Sequence, residues 1–270
     1  MNEATGQLKV DGNFPMFWNG HNLNFPYMDF NDALSFVSDN INVDLFPAIV
    51  DEFDHSATFR TLIRPKIVIQ NHLDLPGHLT KPEVYGKYFV KKGQEVVKMY
   101  DAGRRLKQLH SKPMRERILS SLGIDTNDFL IRFEKKILHP GSYFKRVLTV
   151  NDILKHDFII QCNQDLMDTY DKILKAGCLQ LPRNKKQLNT AILPLIVGKE
   201  LELVYGFNFL ELLIQRISSI DDCILSKEDK KARKKQIRAN AKLISKKGVS
   251  EYDLSEQLAE SLKMVSGGNT

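Results

Sequence analysis

The spacing of apolar positions predicts a chain built mostly from short helices. Residues 29–39 place Phe30, Ala33, Leu34 and Val37 on one helical face, and residues 43–53 read as a second helix. From Thr58 to Gln70 the pattern changes. Phe59, Leu62, Ile63, Ile67, Val68 and Ile69 flank Pro65, with Arg60, Arg64 and Lys66 interspersed. This β-branched stretch, the Pro76-Gly77 turn and residues 85–90 predict a hairpin. After Gly93, helices are predicted over 94–110, 114–122, 127–138, 150–157 and 164–176. Pro113, Thr126, Thr149 and Asn163 supply the start signals, and Gly123, His139-Pro140-Gly141 and Gly177 the stops. Residues 188–197 and 207–220 are apolar on nearly every face and predict buried helices. A strongly basic helix over 227–245 follows, with Ala232, Ile237, Ala241 and Ile244 as a thin apolar line. Ser250 and Asp253 form a capping-box pattern ahead of a last helix, 254–264.

The expected fold is therefore mainly α, a two-lobed helical body with one small β-hairpin and extended N- and C-terminal arms. The expected divisions are an arm over 1–26, a lobe over 27–180 with the hairpin at 58–90, a second lobe over 187–248, and an arm over 249–270. Pro and Gly at the density of residues 1–26 argue against a helix there. Phe14, Phe17 and Trp18 nevertheless give that arm apolar surface for docking, on its own body or on a neighbour. In the last helix Leu254, Leu258 and Leu262 recur every four residues, a narrow seam suited to lying in a groove.

Charge changes this picture more than composition does. The chain of 270 residues is 42% hydrophobic and 27% charged, as soluble globular proteins are. Three cysteines (Cys162, Cys178, Cys223) without CxxC spacing argue for a reducing, cytoplasmic compartment. The longest apolar run, 191–197, is far short of a membrane span, and no signal-peptide pattern opens the chain. The net charge of +6 hides a polarity. Residues 1–59 hold nine acids and one base, whereas residues 60–155 hold 20 bases and nine acids. Ten further bases lie in 227–247, opposed only by Glu228 and Asp229. Such asymmetry speaks of polyanionic partners.

Enzyme chemistry finds little support in the residue order. His72 and His78 flank a Pro-Gly turn with no cysteine near them, so turn histidines are expected and no metal. GxGxxG, GxxxxGK and GxSxG are all absent, and Gly198-Lys199 lacks the preceding glycine of a phosphate loop. A metal nuclease needs acids on adjacent strands beside a lysine. The hairpin offers Asp74 and Glu83, which fall in its connecting loop. No catalytic residue and no cofactor are expected.

Binding remains. Arg60, Arg64 and Lys66 alternate with apolar residues, so they are expected to share a strand face. Tyr88 with Lys91 and Lys92, and Tyr143 with Lys145 and Arg146, interleave rings with bases. Arg104, Arg105, Lys135 and Lys136 add helical cations, and Arg183, Lys185 and Lys186 occupy a linker-like stretch, 180–186. Cations that track phosphates and rings on which bases stack are what a single strand requires.

Three local sequences carry a resemblance: Tyr27-Met28-Asp29-Phe30, Asn71-His72 followed by Pro76-Gly77, and Leu193-Pro194-Leu195-Ile196-Val197-Gly198. With the apolar arm and basic middle, they resemble the nucleoproteins of segmented negative-strand RNA viruses, nearest the orthobunyavirus branch. The resemblance implies single-stranded RNA in a basic cleft between two lobes, arms that dock on adjacent protomers, and a viral polymerase as a further partner. It maps the RNA contacts onto Arg60, Arg64, Lys66, Arg104, Arg105, Arg183, Lys185 and Lys186. The expected function is a non-enzymatic, oligomerising protein that encapsidates single-stranded RNA by phosphate neutralisation and base stacking. The alternative is a helical interaction or scaffold protein whose basic patch meets acidic protein or membrane.

Overall fold

A computed structural model describes residues 8–23, 25–177, 179–180, 192–205, 208–242, 244–246, 250 and 252–265. In chain order the elements are α1 (Phe14–Asn19), α2 (Tyr27–Ile41), β1 (Phe53–Thr61), α3 (Pro65–Asn71), β2 (His72–Asp74), β3 (Leu79–Pro82), β4 (Gly86–Lys91) and β5 (Glu95–Asp101). There follow α4 (Ala102–Leu109), α5 (Lys112–Ser121), β6 (Phe129–Ile137), α6 (Pro140–Tyr143), α7 (Val150–Ile153), α8 (His156–Asp171), β7 (Leu174–Lys175) and β8 (Leu179–Gln180). The last are α9 (Leu193–Tyr205), α10 (Phe209–Ser218), α11 (Lys227–Ala241), β9 (Ser245–Lys246) and α12 (Ser255–Val265).

The mainly helical expectation is corrected. Half of the described residues are helical but 18% are strand, and a five-stranded antiparallel sheet in the order β1-β6-β5-β4-β3 organises a mixed α and β fold. Segments read as helix are its central strands: residues 127–138 contain β6, and residues 94–110 divide into β5 and α4. Conversely, 58–70 is not one strand. β1 stops at Thr61, and Pro65 opens α3, so Arg60, Arg64 and Lys66 do not share a strand face. The hairpin proper is β3–β4, extended by β5.

Two compact units divide the chain. The first comprises Met1–Gln70, Asp74–Ile173 and Leu254–Thr270, and the second comprises Asn71–Leu73 and Leu174–Asp253. In the first, one sheet face carries Ala57, Phe59, Phe89, Val97, Met99, Ile131 and Phe133. These residues pack with Leu166 and Tyr170 of α8 and with Leu254, Leu258 and Leu262. That apolar layer is the main core.

The leucine seam is thus filled by this chain itself. Leu254, Leu258 and Leu262 are at most 4% exposed, the Leu254 amide donates to the Tyr170 hydroxyl at 2.8 Å, and Ser261 Oγ donates to the Thr58 carbonyl at 2.9 Å. A C-terminal arm that docks through these leucines on a neighbour is corrected to a helix of the main core, because burying them there removes their apolar surface from water.

The N-terminal segment is also more ordered than its composition implied. Pro15 sits in the first turn of α1, where no backbone N–H is required, and Asn13 Oδ1 accepts the Met16 amide at 3.0 Å. Gly20, at φ 70°, ends the helix in the left-handed conformation. Phe14 packs edge-on against Phe30 of α2 at 5.1 Å, whereas Phe17 and Trp18 stay exposed beside Phe36.

In the second unit α9, α10 and α11 enclose a smaller core of Ile192, Leu195, Ile196, Phe209, Leu213, Ile237 and Ile244. Gly198 has a packing role there: a Cβ at that position would lie 1.9 Å from the Phe209 ring. Among the described residues no helix is long and apolar enough to cross a membrane.

Candidate functional site

Strand alternation sends every second side chain of the sheet away from the main core. On that second face the register builds three cross-strand rows. One runs Tyr88, Lys98, Glu134, Ser56; the next runs Gly86, Tyr100, Arg132, Thr58; the third runs Val90, Val96, Lys136, Asp54. Nine of these twelve residues are polar, so this face is not built mainly for packing. Gly86 is required in its row, because a Cβ would meet the Met99 carbonyl oxygen at 3.0 Å and the Tyr100 Cβ at 3.1 Å.

Part of the face is covered. α4 and α5 close one end over Leu130 through Leu23, Ala102, Leu106, Ile118 and Leu119. The rest opens into a cleft, part of a larger concavity of about 1750 Å³ that also reaches Phe158 and Cys162 of α8. Its floor is Asp54, Ser56, Thr58, Tyr88, Lys98, Tyr100, Arg132, Glu134 and Lys136, and its rim includes Tyr85, Arg104, Arg105, Gln108 and residues 8–15.

Glu134 is the hub of the floor. It accepts from Lys98 Nζ at 2.6 Å, Tyr100 Oη at 3.3 Å and Arg132 Nε at 3.4 Å. Burial opposes its charge, but Lys98 and Arg132 outweigh that and hold its carboxyl below the ordinary glutamate range. Arg132 is fixed further by the Asn22 carbonyl and by Thr58 Oγ1 at 3.3 Å. Burial pushes the Tyr100 phenol up to about 12, so it acts at neutral pH as a donor to Glu134. Lys136 pairs with Glu52.

Asp54 differs from the other acids. Its side chain is open to the cleft, and no described residue hydrogen-bonds its carboxylate. Desolvation within the cleft, with the negative Glu134 diagonally across on the next strand, raises its carboxyl above the ordinary aspartate range. Two carboxylates thus lie on adjacent strands, flanked by Lys98 and Lys136, and that of Glu134 is already engaged by Lys98, Tyr100 and Arg132. Among the described residues no group of three or more His, Cys, Asp or Glu is set to hold a metal ion.

On the rim, the Arg104 guanidinium lies 3.3 Å from the centre of the Tyr85 ring and donates to that hydroxyl. Arg105 is exposed and has no ionic partner among the described residues. The Tyr88 hydroxyl likewise has no hydrogen-bond partner among them.

The sequence-derived candidates divide. Tyr88, Arg104, Arg105 and Lys136 line the cleft. Lys135 and Tyr143 lie on the opposite, core-facing side, so the expected shared trough does not include them. Lys135 is 4% exposed; its Nζ donates to Tyr143 Oη at 2.7 Å and Thr169 Oγ1 at 3.0 Å and pairs with Asp165 at 2.9 Å and Glu95 at 3.1 Å. His78 Nε2 continues the chain to Glu95 at 3.0 Å. This network holds the Lys135 charge inside the first unit, so it is not presented to a strand in the cleft.

Of the remaining candidates, Arg60 is held by Asp128 at 3.5 Å and by the Gly123 carbonyl. Arg64 and Lys66 are exposed around the start of α3, and Lys91 and Lys92 at the β4–β5 turn. Lys145 and Arg146 are exposed after α6, with Arg146 5.8 Å from the Phe158 ring. Arg183, Lys185 and Lys186 lie outside the described residues. Sequence reasoning missed Asp54, Lys98, Tyr100, Arg132 and Glu134. Their signal was the alternation Arg132, Glu134, Lys136 against Ile131, Phe133, Ile137 in β6. Compared with protein-family models, curated proteins and solved structures, the chain matches none.

Proposed function

We propose that the first unit binds single-stranded nucleic acid across the polar face of its sheet. The observation that supports this reading is the cleft itself. An open sheet surface offers the Tyr88 ring as a stacking platform, with Arg104 and Arg105 on the rim as its cations; the floor cations Lys98, Arg132 and Lys136 are paired with Glu134 and Glu52 and line the path beneath. A duplex hides its base faces, whereas a single strand presents both rings and phosphates to such a surface. RNA, the strand expected from the sequence, and DNA share this chemistry. The cytoplasm, where free thiols such as Cys162 and Cys223 stay reduced, is the compartment this reading assumes.

A second reading of the same cleft rests on Asp54 and Glu134. The floor cations are already matched by these acids and Glu52, so a phosphate above Asp54 meets a negative charge. Asp54 would hold a magnesium-type ion whose shell is completed by water and phosphate oxygens, and the ion would supply the positive charge that polarises a phosphodiester for attack by water. In that attack the water oxygen would form the new P–O bond as the bond to one ribose oxygen breaks, and the proton released by the water would pass to the departing ribose oxygen.

Fluorescence anisotropy with labelled RNA and DNA oligonucleotides, in EDTA and in magnesium, tests both readings. Tyr88→Ala with Arg105→Ala is expected to weaken strand binding at least tenfold, since one stacked base contributes about 1–3 kcal/mol. Asp54→Asn is expected to strengthen binding in EDTA several-fold by removing a negative charge. Magnesium-dependent cleavage that Asp54→Asn abolishes selects the second reading, and intact oligonucleotide leaves binding alone. Unchanged affinity in the Tyr88/Arg105 variant overturns the cleft as the binding site.

A further inference from the structure

The second unit carries a charge pattern that its own fold does not use. On α11, Lys230 turns inward, where it is buried, donates to the Ile220 carbonyl and pairs with Asp222. Ile237 and Ala241 face the same way and are half-buried, Ile237 against the α9–α10 core. At about 100° per residue, Lys227, Lys231, Lys235, Arg238 and Lys242 fall together within an arc of about 80° on another side of the helix. All five are exposed, and none has an ionic partner among the described residues. They form one row about 22 Å long at 1.5 Å per residue.

This row works against the helix that displays it. Like charges one turn apart repel, and an ordinary solvated helix interleaves acids at i+4 to avoid that. Here the nearby acids are spent at the helix start. Asp229 closes the cap with Ser226, whose Oγ accepts the Asp229 amide at 3.1 Å, and Glu228 lies in the first turn. Lys231, Lys235, Arg238 and Lys242 are left to face a partner that supplies the negative charge.

The chemistry of the row selects the partner. It contains no aromatic ring, so it has nothing on which the bases of a single strand can stack. The exposed residues beside it are Glu228, Ala232, Gln236 and Ala239, which give no apolar face to enter a lipid surface. What it can meet is a rigid array of phosphates. The major groove of B-form DNA, about 12 Å wide, admits an α-helix, whereas that of A-form RNA is too narrow. We propose that α11 docks on the phosphate backbone of duplex DNA, through a surface separate from the cleft of the first unit.

The proposal does not rest on the cleft and is tested on the full chain with duplex DNA of random sequence. Five neutralised phosphates give a log–log salt slope of about −4.5, or about 500-fold weaker binding at 200 mM than at 50 mM salt. Lys231→Ala with Lys235→Ala and Arg238→Ala removes three of these contacts while raising helix propensity, so the variant keeps its fold. Its expected slope is about −1.8, a loss of only about tenfold over the same range. Tyr88→Ala is expected to leave duplex binding unchanged, which separates this surface from the cleft. An unaltered slope in the triple variant overturns the proposal. So does tighter binding of the native chain to phosphatidylserine vesicles or to an acidic peptide than to duplex DNA.

Discussion

A Lys135→Ala variant is expected to lose about 3–5 kcal/mol of stability, the cost of leaving partner charges buried after one member of a buried ionic group is removed. Lys135 projects from β6 into the side of the sheet that packs on α8, and it is the only cation that contacts both Glu95 and Asp165 among the described residues. Burial disfavours its charge, but hydrogen bonds with Tyr143 and Asp165 and the fields of Asp165 and Glu95 prevail and raise its pKa. Without it the two carboxylates repel one another in a poorly hydrated place, and Thr169 and Tyr143 lose a shared partner. Urea denaturation checks this. The expected shift is large for Lys135→Ala and negligible for Arg105→Ala, whose side chain is exposed. Adding Glu95→Gln and Asp165→Asn to Lys135→Met is expected to recover part of the loss, because no charge is then stranded. A Lys135→Ala protein as stable as the native one contradicts the network.

Acidification is expected to destabilise the first unit in two stages. His55 also lies on the packed side of β1, with Nε2 2.8 Å from Asn163 Oδ1. Burial lowers its pKa to about 4, against the opposing effects of Asn163 and Asp165. The unfolded chain takes up a proton near pH 6.5 that the folded chain refuses until about pH 4. Stability is therefore complete above pH 6.5 and falls as the pH drops towards 4, by on the order of 3 kcal/mol for this one group. His21, also lowered by burial and by His110, acts in the same direction. Glu95 and Glu134 extend the loss further down. Their folded pKa values are depressed, so the stability they add above the ordinary glutamate range disappears as the pH falls through the lower folded values. Melting temperatures are expected to hold between pH 7.5 and 6.5 and to fall from there to pH 4.5, and His55→Gln is expected to flatten that fall. A native profile flat to pH 4.5 contradicts the assignment.

Helices were more legible in this sequence than strands, and the reason is local. Thr149 announces α7 because its side chain and that of Asp152 satisfy one another's backbone amides, a signal written within four residues. Pro113 near the start of α5 and Gly123 after its end work in the same way. A strand has only alternation to declare it, and here alternation is broken where the structure is most specialised. Lys135, His55 and Glu95 occupy core-facing positions, so the apolar faces of β6, β1 and β5 each contain a polar residue. Their charges are satisfied by α6, α8 and the β2–β3 turn, partners that no window of the sequence around β6 contains. The site inherits the same limit. Tyr88, Arg104, Arg105 and Lys136 were legible as rings and bases, whereas Asp54 and Glu134 gain meaning only once two distant segments are paired.

Lysine acylation footprinting read by mass spectrometry tests whether the strand lies on the polar face of the sheet. Adding a single-stranded oligonucleotide is expected to protect Lys98 and Lys136, while Lys66, Lys91, Lys92 and Lys145 react as before. Protection confined to those four, with Lys98 and Lys136 equally reactive in both states, contradicts it.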